Sequence, residues 1–183
     1  MVAAAVAVCV AFTGYLATYV NGVRLEQRKQ RLSRVNQQLS ELYGPLLALV
    51  EANKRVFNAF VERNGRPRDI SIFEGEMPPT EGELAEWRLW VTTVFLPSIQ
   101  AMRDVIVSHA DLLLDPEMPP VLINLCAHVS GYEITASRWA NGHYDEHRSV
   151  VAFQPEELLS YARHSFAQLK VEQGRLLGTV SAR

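Results

Sequence analysis

The feature that most constrains this chain is its beginning: residues 2–20 (VAAAVAVCVAFTGYLATYV) carry no charged side chain. As a helix rising 1.5 Å per residue they would span roughly 28 Å, close to the hydrocarbon thickness of a bilayer. A helix satisfies its own backbone polar groups, so an uncharged segment of this length can cross lipid. Tyr15 and Tyr19 sit near its C-terminal end, where amphipathic rings favour the interface. A transmembrane anchor over residues 1–22 is therefore expected, with a buried helix of a globular core as the competing reading.

A cleaved signal peptide fits less well, because it places positive charge before its apolar run. Here Arg24, Arg28, Lys29, Arg31 and Arg34 all come after it, against the single acid Glu26 through residue 38. The positive-inside rule keeps such a flank in the cytoplasm and leaves the N-terminus outside. The expected location is thus the plasma (inner) membrane, single-pass, and the size and layout look bacterial. The five bases also suit anionic lipid headgroups, at about 1 kcal/mol each near the surface. Their plain alternative is a topology signal with solvated side chains. Beyond them, residues 39–183 hold 13 basic and 19 acidic side chains, so the body is mildly repelled by an anionic leaflet.

Residues 23–43 read as a basic juxtamembrane helical stalk. Two rows recur at steps of seven: Leu25, Leu32, Leu39, Leu46, Asn53, Phe60, and Arg28, Val35, Leu42, Leu49, Val56. A 3.5-residue period keeps one stripe facing a partner helix. Between residues 24 and 41 the remaining positions are almost wholly polar, and a narrow stripe suits a seam between helices. Self-association through Leu25, Leu32, Val35, Leu39 and Leu42 is expected. Gly44-Pro45 interrupts the rows: Pro45 has no N–H and its ring opposes the carbonyl of Glu41. A kink or one-turn break is predicted there, with Pro45 opening the next helix.

Residues 44–183 read as a helical bundle. After the Gly- and Pro-rich loop 63–82, Thr80 and Glu83 have capping-box spacing and begin a helix that runs to about Leu114, with a kink near Thr93 caused by Pro97. Prolines 116, 119 and 120 precede a helix with Leu122, Leu125, Val129, Tyr132 and Trp139 at helical spacing, ended by Asn141-Gly142. Pro155 opens the last helix, whose buried side is Leu158, Ala162, Phe166, Leu169 and Leu176. The fold class is all-α: a transmembrane helix, a coiled-coil-like stalk and an antiparallel bundle of about four cytoplasmic helices.

Chemistry is sparse. A net charge of −2 over 183 residues argues against a general nucleic-acid binder, and two cysteines 117 positions apart make no disulfide framework. The sharpest cluster is His143-Tyr144-Asp145-Glu146-His147. Imidazoles four apart with Asp145 between them suit a metal, but Gly142 puts the run at a helix end, and the order differs from H-E-x-x-H. Cys126 and His128 would point about 200° apart on a helix, so they make no catalytic pair. Glycine-rich phosphate loops and G-x-S-x-G elbows are missing from the sequence. No cofactor is implied. The expected function is non-enzymatic: a membrane-anchored interaction or scaffold module, self-associating or an accessory subunit, with membrane lipid and a protein or second copy as partners. The alternative is a metal- or small-ligand-binding sensor or enzyme using His143 and His147.

Overall fold

A computed structural model of the protein describes residues 2–68, 70–74 and 78–179, the side chains of residues 2–11 and 13 not among them. Among the described residues the chain is all-helical, without strands. Its longest feature is an unbroken helical rod made of α1 (Val2–Gln37), a π-helical turn (Gln38–Tyr43) and α2 (Gly44–Arg63). The second rod is α3 (Glu81–Trp90), another π-helical turn (Val91–Phe95) and α4 (Leu96–Ser108). A 3-10 turn (Ala110–Leu112) leads to α5 (Pro120–Ala140), and α6 (Pro155–Leu177) closes the bundle.

The two π turns show how each rod passes a proline. A proline in an α-helix drives its ring into the carbonyl four residues back and leaves that carbonyl without a donor. At Pro45 the preceding N–H, that of Gly44, reaches back five residues to the Leu39 carbonyl. At Pro97 the Leu96 N–H likewise bonds the Val91 carbonyl. One extra residue is thus inserted in the turn before each ring. Neither rod breaks: of the kink or one-turn break predicted at Gly44-Pro45, the break is absent and the ladder changes through a π turn instead. A Cβ on Gly44 would stand 2.3 Å from the Leu39 carbonyl oxygen, so the tightened approach requires glycine there.

Element ends follow local chemistry. The Glu83 N–H donates to Thr80 Oγ1 at 3.3 Å, and the Thr80 N–H donates to Glu83 Oε2 at 2.7 Å, completing the expected capping box. Gly142 and Gly178 take positive φ just after α5 and α6. The second rod stops at Ser108, short of the expected Leu114.

Packing is up-down-up-down. Arg63–Glu86 (3.0 Å) and Arg66–Glu83 (2.7 Å) tie the end of α2 to the start of α3. Gln100 and Arg103 on α4 both donate to Glu133 on α5. α6 runs back along the first rod: Lys54–Glu156, Tyr43–Tyr161, Asn36–Gln173 and Arg28–Leu176 pair in that order. The main core gathers Phe60 with Trp87, Trp90 and Phe95, ring centroids 5.4–6.1 Å apart, together with buried Leu122, Leu125, Val129 and Leu158. Each fully buried Leu or Phe contributes about 1.5–3 kcal/mol relative to exposure. A second cluster lies lower on the first rod: Val35, Leu42, Tyr43, Leu112 and Leu169, flanked by Leu39, Phe166 and Leu176. Asn53, in the predicted core row, is half-buried, and its Oδ1 has no hydrogen-bond partner among the described residues.

Candidate functional site

α6 ends beside Arg28, and among the described residues no helix covers α1 N-terminal to that level. From Gly14 to Arg31 every residue is exposed. Phe12, Tyr15 and Tyr19 are 63%, 69% and 61% exposed, and Leu16, Val20 and Val23 are exposed with them. Soluble surfaces rarely leave so many large apolar side chains together in water. Among the described residues no helix is long and apolar enough to cross a membrane. The span expected over 2–20 depends on residues 2–11 and 13, whose side chains lie outside the described residues.

The basic cluster divides in two. Arg28 Nε donates to the Leu176 carbonyl at 2.7 Å, placing a cation on the last turn of α6, where helix carbonyls lack partners and the dipole is negative. Arg34 donates to the Asp111 carbonyl, and its Nη1 lies 3.8 Å from the Asp111 carboxylate. Arg24, Lys29 and Arg31 are exposed, and Lys29 approaches Glu26 only at 4.0 Å. An exposed pair at that distance contributes little.

C-terminal to this basic cluster, the first rod together with Tyr161 of α6 holds the connection between α4 and α5. Gln38, buried, donates from Nε2 to the Leu112 carbonyl at 2.9 Å. Glu41 lies 3.7 Å from His109 Nδ1. The Leu114 N–H donates to Tyr43 Oη at 3.0 Å, and Tyr161 donates to Asp115 at 3.2 Å. Burial, then Tyr43 and the Asp115 carboxylate beside it, pushes the Tyr161 phenol well above its ordinary range. These bonds satisfy polar groups that an irregular connection would otherwise leave unpaired.

The predicted seam residues are placed along the same rod. Val35 and Leu42 are buried, with Leu39 packed on them, against Leu169 and Phe166 of the chain's own α6; Leu32 is half-buried. Leu25 is 55% exposed. The stripe was legible, but its partner over most of its length is internal.

The segment after α5 is not a helix, so His143 and His147 do not share a helical face. It is a strap held mainly by its carbonyl groups: Trp139 Nε1 donates to Glu146 O (2.7 Å), Trp87 Nε1 to His147 O (2.8 Å) and Thr135 Oγ1 to Arg148 O (3.3 Å). His128 Nδ1 lies 2.7 Å from the Val151 carbonyl, and burial lowers its pKa against that contact. Ser149 Oγ donates to the His128 carbonyl at 3.1 Å. His143 and Asp145 are exposed; the His147 ring stacks on Phe73, and its Nδ1 is buried without a partner among the described residues. Among the described residues, no group of three or more His, Cys, Asp or Glu side chains is placed to hold a metal ion. Sequence reasoning missed the strap's supports. Their signal was a helical stripe of hydrogen-bonding types on α5 (His128, Thr135, Trp139) with Gly131 in its midst.

No protein family, curated protein or solved structure matches this chain.

Proposed function

We propose that the chain is a single-pass, membrane-anchored helical module, non-enzymatic, that holds a four-helix bundle at the membrane surface for a protein partner. The observation that carries this reading is the uncovered N-terminal part of α1, where Phe12, Tyr15 and Tyr19 stand more than half exposed on a stretch free of charge from Val2 to Val23. Lipid is the medium in which such a surface costs nothing. The bases that follow orient the bundle toward the cytoplasmic face of the plasma (inner) membrane, with the N-terminus outside. Tethering raises the local concentration of the bundle near membrane partners and so strengthens contacts that would be weak in solution. With Val35, Leu39 and Leu42 packed inside the chain, association between copies is proposed for the stretch before Arg28, where Leu25 is free.

The test is fractionation of lysed cells. The full-length chain should sediment with membranes, resist alkaline extraction and be released by detergent, and a variant lacking residues 2–20 should stay in the supernatant. A full-length chain that remains in the supernatant without detergent overturns the reading. Purification of the native protein in mild detergent should then bring the partner with it.

A further inference from the structure

We propose that Arg24, Lys29 and Arg31 form a collar for the phosphate groups of anionic phospholipids; this rests on the membrane reading above and names the lipid class it meets. The sequence offers five bases of equal standing, and the structure separates them. Arg28 is held by the last turn of α6 and Arg34 by Asp111, so these two fix the base of the bundle to the rod. Arg24 and Arg31 make no ion pair with a described residue, and Lys29 has only the exposed 4.0 Å approach to Glu26. At 100° per residue, Arg24 and Arg31 fall about 20° apart around the rod and Lys29 about 140° from Arg24, with Arg28 and the end of α6 between them. These three exposed cations therefore flank the base of the bundle on both sides. They occupy about 10 Å of axis starting one residue after Val23. Each therefore reaches the headgroup layer or lies within a Debye length of it, about 8 Å at physiological salt. Charge complementarity fixes the lipid class. The acidic body, with 19 acids against 13 bases over residues 39–183, gains nothing from an anionic surface, so attraction comes from the collar alone.

The experiment places the full-length protein in lipid nanodiscs containing spin-labelled phosphatidylglycerol or spin-labelled phosphatidylcholine and measures the fraction of each label immobilised against the protein. Wild type should enrich phosphatidylglycerol several-fold over phosphatidylcholine, the enrichment falling with added salt. R24Q/K29Q/R31Q should bring the ratio to parity while its bundle melts at the wild-type temperature. Equal immobilisation of the two lipids by wild type, or enrichment that survives the triple substitution, overturns the proposal. A protein that fails to co-elute with discs of either lipid overturns the membrane reading instead, so the two failures are told apart.

Discussion

Ser149 stands where a side chain on Gly131 would have to be: a Cβ built on Gly131 falls 2.1 Å from Ser149 Oγ and 3.2 Å from Ser149 Cβ. The strap after α5 can lie flush on that helix only because this position is bare. Helix propensity alone would favour Gly131→Ala by about 1 kcal/mol. We expect the opposite sign, a net loss of about 1–3 kcal/mol from forced displacement of the strap. Urea unfolding of G131A, S149G and the double variant should show that S149G relieves most of the G131A penalty. Additive costs would mean that the strap yields freely.

The π turn before Pro45 makes a parallel case. Gly44→Ala should lower stability by about 1–3 kcal/mol, because the new methyl meets the Leu39 carbonyl. Pro45→Ala restores an N–H and removes the ring that imposed the turn. G44A in the P45A background should therefore cost clearly less than G44A alone, as read from unfolding midpoints. Equal costs in both backgrounds would show that the turn is held by tertiary packing and not by the proline.

Three described groups make the fold acid-sensitive: Glu133, held down by Gln100 and then Arg103, and two whose windows are separate, His128 and Glu83. Burial holds the His128 pKa below its ordinary 6.5. The unfolded chain takes up this proton first, so stability is full above that value and declines as pH falls below it. Glu83 is held down to about 2 by Arg66 and then by the Thr80 N–H, against an ordinary 4.5. Its contribution is present above 4.5 and is lost as pH falls from there toward 2, a change on the order of 1–3 kcal/mol. Unfolding measured against pH should lose its near-neutral slope in His128→Gln, and its acid limb should become shallower in Glu83→Gln, with the part due to Glu133 remaining. An unchanged slope in either variant removes that residue from the account.

The seam separates folding from association. Leu42→Asp places an unpaired charge in a fully buried site and should abolish cooperative melting of the bundle. Leu25→Asp, at an exposed position, should leave melting unchanged and reduce cross-linking between copies in membranes. Cross-linking that is insensitive to Leu25→Asp would move the contact elsewhere.

What could be read beforehand divides along physical lines. Helix starts at Thr80 and Pro155 and the stop at Gly142 were legible, because caps are decided by residues three or four apart. Pro45 and Pro97 announced that the hydrogen-bond ladder had to change, yet a kink and a π turn both answer that demand. The heptad rows gave Val35, Leu39 and Leu42 as one stripe. Periodicity says nothing about which helix covers it, and the cover, α6, lies more than a hundred residues further on. The supports of the strap were hidden for another reason: Glu146, His147 and Arg148 accept through main-chain oxygens, which every residue type shares.

That anchoring by main-chain oxygens has a corollary for the side chains around it. Because the course of the strap is set by donors on α3 and α5, substitutions at His143 or Asp145 leave its path untouched. The route of this segment and the chemistry it turns outward are thus set by different atoms, so its exposed side chains can be exchanged without moving the main chain beneath them.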